Sequence, residues 1–184
     1  MTPDQPTLRE FVLFLRDTGC RVGEALKLRL EDVNFFLGEL TFRRTKNGEN
    51  RTLVLTKAPH LVELLVRQDT SGGYYFGGPH HRNRLRHAWE RARKRAGFAN
   101  LRLHDSRHLA STWMQRQNVD YLSSESLLGH KIPGMRGHYG HATREGLANA
   151  LAVLANPFPS RDEAGRNLAE IRRSAARGEN GTDA

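Results

Sequence analysis

Apolar residues recur at helical spacing along most of this chain. Leu8, Phe11, Val12 and Leu15 share one face of a segment spanning residues 7 to 18, which Thr18-Gly19 ends. A short helix is expected from Val22 to Leu28, with Arg21 at its start. The pattern then changes. Residues 39–44 (Glu-Leu-Thr-Phe-Arg-Arg) and 51–55 (Arg-Thr-Leu-Val-Leu) alternate or run apolar like strands. Asn47-Gly48 between them is a strong turn signal, so they form a hairpin with Lys46 at its tip. Helical spacing returns over 58–68 through Leu61, Leu64 and Leu65. Residues 71–79 read as a Gly-rich loop, and 80–96 as a very basic helix whose Leu85 and Trp89 mark the inward face. Further helices are expected over 103–117, over 119–128 with Gly129 closing it, and over 143–154 beyond a break at Pro133-Gly134. Asn156-Pro157-Phe158-Pro159 reads as a linker. The expected organisation is one domain over 1–157 and a charged tail over 158–184, partly helical or disordered. The fold class is mainly α (α+β), helices with a small antiparallel β-sheet, and no internal repeat is present.

Composition narrows the partners. The 184 residues suit one domain with a tail, and 38% hydrophobic residues suffice for a core. A net charge of +9 and a pI near 10.4 favour a polyanion. A membrane surface is the competing partner, but no stretch approaches the ~20 apolar residues of a spanning helix. The first residues lack a charged-then-apolar signal pattern, so a cytoplasmic location is expected. The single cysteine, Cys20, excludes an internal disulfide and reads as a small packing residue.

The candidate chemistry lies in a few short runs. They are Thr18-Gly19-Cys20-Arg21-Val22-Gly23-Glu24, Thr45-Lys46-Asn47-Gly48, His104-Asp105-Ser106-Arg107-His108, Leu128-Gly129-His130, and Tyr139. Arginine presents a planar fork to two oxygens of a phosphate. Histidine can hold a phosphate or exchange a proton near neutral pH. A tyrosine can attack phosphorus. Together they point to phosphoryl transfer through a covalent tyrosine link.

This arrangement resembles the catalytic domain of the tyrosine recombinases, or phage-type integrases. That family is recognised by a TGxRxxE box, a hairpin lysine, HxxRH, LGH and a terminal tyrosine. The matching positions are Arg21, Lys46, His104, Arg107, His130 and Tyr139, and the nine-residue step from His130 to Tyr139 is the usual family spacing. The resemblance covers roughly residues 8 to 157. It implies site-specific recombination of double-stranded DNA through a 3′-phosphotyrosine. It also implies a tetramer on paired sites, a monomer when free, and no cofactor, since transesterification needs neither metal nor ATP.

The roles that follow are also expectations. Arg21 and Arg107 would clamp the phosphate, and Tyr139 would attack it with His104 as general base. His130 would bind the phosphate. Lys46, with Lys57 as fallback, would protonate the leaving 5′ oxygen. Glu24, one turn from Arg21, either orients its guanidinium or forms an ordinary surface pair. Arg82, Arg84, Arg86, Arg91, Arg93, Lys94 and Arg95 either follow the DNA backbone or form a solvated face. His60, His87, His108, His138 and His141 read as ordinary hydrogen-bonding histidines, and Tyr74, Tyr75 and Tyr121 as structural. No HExxH or GxxxxGK[ST] run is present, and one cysteine cannot build a Cys-rich zinc site.

Two departures from the family pattern matter. Ser106 stands where leucine is usual, which weakens one core contact. Only twenty residues precede Arg21, so the family's N-terminal core-binding domain is expected to be absent and binding by this chain alone to be weak. The rival functions are a catalytically inactive DNA-binding remnant and a type IB topoisomerase. The topoisomerases typically carry lysine where His104 stands and lack the LGH-to-tyrosine arrangement.

Overall fold

A computed structural model describes residues 7–43, 45, 48–130 and 142–155. Within them lie seven α-helices and a three-stranded antiparallel sheet, against which the helices Tyr121–Leu128 and Arg144–Ala155 pack. Helix α1 spans Leu8–Thr18 and opens with a capping box, in which Thr7 Oγ1 accepts from the Glu10 amide at 3.3 Å and Glu10 accepts from the Thr7 amide at 3.0 Å. Its Phe11, Phe14 and Leu15 are wholly buried. Phe76 packs against Phe14 and Phe11, with centroids 4.8 and 5.5 Å away. Helix α1 thereby becomes the central pillar, with α5 (Asp105–Arg116) and α7 (Arg144–Ala155) packed against it.

Gly19 ends α1 with φ +60, a conformation that L side chains rarely adopt. A Cβ at this position would also lie 2.7 Å from Leu128 Cδ2 and 3.0 Å from Ala110 Cβ. The glycine therefore lets the end of α1 meet α5 and α6 (Tyr121–Leu128) at close range. That corner becomes the floor of the candidate site.

The sheet runs β1 (Val33–Asn34), β2 (Glu39–Phe42), β3 (Arg51–Val54) in spatial order. In the β2–β3 hairpin Leu40 faces Leu53, Thr41 faces Thr52 and Phe42 faces Arg51. The strands are shorter than expected: β2 stops at Phe42, and Leu55–Lys57 turn into a 3-10 helix. Strand β1 was not anticipated, because two residues are too few to show a period. Lys46 and Asn47 lie outside the described residues, as do 131–141 and 156–184. The expected break at Pro133-Gly134, the linker and the tail fall there.

The remaining helices match their expected segments to within two residues at each end. Helix α2 spans Val22–Lys27, α3 spans Pro59–Val66 and α4 spans Arg82–Arg95. Pro79–His81 form a separate 3-10 turn, so the basic helix starts two residues later than its charge pattern implied. Leu85 is buried and Trp89 half-buried, with its indole N–H donating to the Leu101 carbonyl at 3.1 Å. Ser106 replaces the lost leucine contact with a hydroxyl bond to the Leu103 carbonyl at 2.8 Å. Tyr75 is buried and Tyr74 stacks under Arg29, but Tyr121 is 61% exposed and belongs to the surface. Among the described residues no helix is long and apolar enough to cross a membrane.

Candidate active site

The site begins where α1 turns into α2. Arg21 is the N-cap of α2 in extended conformation, so its amide would be an orphan donor. Glu24 Oε2 accepts that amide at 2.8 Å, while Glu24 Oε1 accepts from the Arg21 guanidinium at 2.9 Å. One carboxylate thus caps the helix and aims the arginine. Glu24 is not an ordinary surface partner: its side chain is 9% exposed, and Oε2 also accepts from Arg51 Nη2 at 2.5 Å.

Arg107, on α5, is 5% exposed. Nη1 donates to the Gly19 carbonyl at 3.0 Å and Nη2 to the Leu128 carbonyl at 2.5 Å. These bonds tie the ends of α1 and α6 to α5 and leave the other N–H groups of its five-donor fork for a ligand. Burial, and then repulsion from Arg21 and Arg51, lowers its pKa to about 10. Three guanidiniums therefore lie close together around the Glu24 carboxylate. Cys20 lies beside them, fully buried, and desolvation pushes its thiol up to about 12. It is a packing residue and stays protonated.

His104 and His130 flank this cluster. His104 is the N-cap of α5, one turn before Arg107, and its ring meets His108 edge-on at 5.3 Å. Partial burial, then His108 and Arg107, hold its pKa below the usual 6.5. The ring is therefore neutral near pH 7 and able to take up a proton. His130 follows Gly129, the left-handed cap that ends α6. Its Nδ1 lies 3.1 Å from Glu125 Oε2. A carboxylate only accepts, so that nitrogen carries the hydrogen and Nε2 is the one that remains for a ligand.

Arg21 and Arg107 thus lie close enough to repel one another, His104 precedes Arg107 by one turn of α5, and His130 follows the Leu128 carbonyl that Arg107 holds. The structure does not report on the other two expected site residues, since Lys46 and Tyr139 lie outside the described residues. Lys57, the fallback for Lys46, is committed elsewhere: its ammonium donates to Glu145 and, at 2.7 Å, to Asn149 on α7.

The basic helix divides between two surfaces. Arg82 lines a cleft of about 300 Å³ together with Arg21, Lys27, Arg43 and Thr45. Arg84 and Arg91 line a separate groove beside Leu8 and Phe76. Arg86 sits 3.9 Å from Glu90 in an exposed pair. Lys94 and Arg95 are exposed and Arg93 half-buried. Among the described residues, no three His, Cys, Asp or Glu side chains converge as a metal site would need.

Sequence reasoning missed Arg51 and Glu125. Arg51 left a signal: it shares a strand face with Leu53, a core position where an arginine is out of place. Glu125 left none, since a helical glutamate five residues before a histidine is commonplace.

The phage integrase family model matches residues 2–145, a span that includes all six motif positions. Tyrosine recombinase XerA of Pyrococcus furiosus is 30% identical over 152 residues, which cover 78% of this chain and 53% of that protein. The integrase from mycobacterium phage Brujita superposes with a TM-score of 0.66 at 23% identity, over 84% of this chain and 53% of its own. The XerH site-specific recombinase, in a post-cleavage complex with palindromic difH substrate, gives 0.53 at 21% identity, over 90% of this chain and 46% of its own. This chain spans about half the length of the curated relatives it matches. With the family model matched across its site and most of its length, the chain belongs to the phage integrase family.

Proposed function

We propose that this chain is the strand-cutting and rejoining domain of a site-specific DNA recombinase. The observation that carries this reading is the grouping of Arg21, Arg51 and Arg107 around the Glu24 carboxylate, the one carboxylate that pairs with them among the described residues. Such a pocket has surplus positive charge and unused donors, which suits a phosphate whose negative charge grows during reaction.

In the proposed reaction the Tyr139 hydroxyl attacks phosphorus, and its proton passes to His104. The bond from phosphorus to the 5′ oxygen breaks, and that oxygen takes a proton from the Lys46 ammonium. A 3′-phosphotyrosine and a free 5′-hydroxyl result. A 5′-hydroxyl from a second strand then attacks the phosphotyrosine and returns the phenol. Arg21, Arg107 and His130 Nε2 hold the nonbridging oxygens throughout. Double-stranded DNA is the partner, with Arg82 as the first backbone contact outside the reacting phosphate. Four copies on two paired sites complete the exchange, in the cytoplasm.

A duplex nicked beside the scissile phosphate tests this, because the short cleaved fragment diffuses away and traps the covalent intermediate. A protein–DNA adduct that disappears in Tyr139→Phe supports the reading. No adduct with wild-type protein, at concentrations where the DNA is bound, overturns it.

A further inference from the structure

Arg51 belongs to none of the motifs. It sits on β3 opposite Phe42, its side chain is 5% exposed, and its guanidinium lies 4.6 Å from the centre of the Phe42 ring. Its terminal nitrogens reach in two directions. Nη2 donates to Glu24 Oε2 at 2.5 Å, and Nη1 donates to the Leu127 carbonyl. Leu127 and Leu128 are the last residues of α6, so Arg51 and Arg107 hold successive carbonyls just before His130. Gly129 makes room for this: a Cβ there would come within 2.8 Å of Arg51 Cδ.

A buried guanidinium is an expensive way to fill a strand position, and Arg51 Nε has no hydrogen-bond partner. The arrangement makes sense if its charge acts on Glu24. Glu24 is nearly buried and needs a counter-charge. If Arg21 were its only partner, the carboxylate would draw that guanidinium inward and occupy its donors. Arg51 takes a share of the carboxylate and is itself braced on α6. Arg21 is then aimed by Glu24 without being consumed by it.

We propose that Arg51 is a positioning residue for strand cleavage: braced on the Leu127 carbonyl, it holds Glu24 and through Glu24 sets the direction and available charge of Arg21. The proposal rests on the recombinase reading above. Small displacements of a phosphate clamp slow reaction without loss of binding. Arg51→Lys keeps the charge but cannot reach both partners with one fork.

The test is a double-mutant cycle of wild type, Arg51→Lys, Arg21→Ala and the double variant. It measures single-turnover adduct formation on the nicked duplex with enzyme in excess. Rates are taken per folded molecule from melting curves, and DNA affinity is measured alongside by fluorescence anisotropy. Arg51→Lys is expected to slow cleavage by about 10- to 100-fold with affinity nearly unchanged. In the Arg21→Ala background the same change is expected to cost less than about 3-fold, because its route of action is gone. Equal losses in both backgrounds, as a purely structural role would produce, overturn the proposal. So does wild-type cleavage by Arg51→Lys. If Arg51→Lys does not fold, Arg51→Gln takes its place in the cycle. Absence of any adduct with wild-type protein removes the recombinase reading itself, and this proposal with it.

Discussion

Glu24 binds Arg21 twice, accepting its amide at 2.8 Å on one oxygen and its guanidinium at 2.9 Å on the other. Helix capping and phosphate clamping therefore depend on the same carboxylate. Glu24→Gln keeps one acceptor and loses the charge-assisted bonds. It is expected to lower stability by about 1–3 kcal/mol and to slow cleavage per folded molecule by about 10-fold. Urea unfolding and single-turnover cleavage measure the two effects. A variant that cleaves at the wild-type rate would contradict the aiming role.

Gly129 has φ +69 and lies against the Arg51 side chain. Gly129→Ala is expected to cost about 1–2 kcal/mol from the backbone alone. It should also slow cleavage beyond what its folded fraction explains, because the new methyl displaces Arg51. Equilibrium unfolding combined with adduct kinetics separates the two contributions.

His104 is expected to titrate below 6.5, first because it is partly desolvated and then because His108 and Arg107 repel its proton. The unfolded chain therefore takes up this proton before the folded one does. The group contributes nothing above about pH 6.5 and costs stability as pH falls through that range. His108→Asn removes one repulsive neighbour and should move the His104 value upward. NMR titration of the imidazole in DNA-free protein reads this directly, and an unchanged value would exclude His108 as a cause.

Lys46 and Lys57 should behave differently. Lys57 is held by Glu145 and Asn149, so Lys57→Ala is expected to leave cleavage within about 3-fold of wild type, as for a surface ion pair. Lys46→Ala is expected to slow cleavage far more. A substrate whose leaving oxygen is replaced by sulfur, which departs without a proton, should restore the Lys46→Ala rate. Failure of that rescue would remove Lys46 as proton donor.

Arg82 shares a cleft with Arg21, whereas Arg86 faces Glu90. Arg82→Ala is expected to reduce the slope of log affinity against log salt by about 1, the signature of one lost phosphate contact. Arg86→Ala should change it less. Binding isotherms at several salt concentrations suffice, and an unchanged slope for Arg82→Ala would take that residue off the DNA path.

Much of the fold was legible because its signals are local. Gly19 after α1 and Gly129 after α6 act within a few residues of chain, and both glycine caps appear in the structure. Element ends were less legible. Leu55 reads as strand by residue type, yet its carbonyl closes a 3-10 turn with Ala58. The charge of the basic helix was plain, but which arginine meets the cleft depends on how Leu85 seats the helix. Residue type alone cannot distinguish Arg82 from Arg84.

By itself the sequence determined the helical class, the hairpin and the order of the phosphate-handling motifs. These depend on periodicity, turn chemistry and short spacings. Tertiary structure decided how the charges are shared. Glu24 and Arg51 lie 27 residues apart, and Arg51 and Leu127 lie 76 apart. No local preference links them. They meet because Gly19 and Gly129 let α1, α5, α6 and the sheet close on one corner. That corner leaves the buried guanidiniums of Arg51 and Arg107 and the half-buried one of Arg21 around the Glu24 carboxylate, a balance that only packing can set.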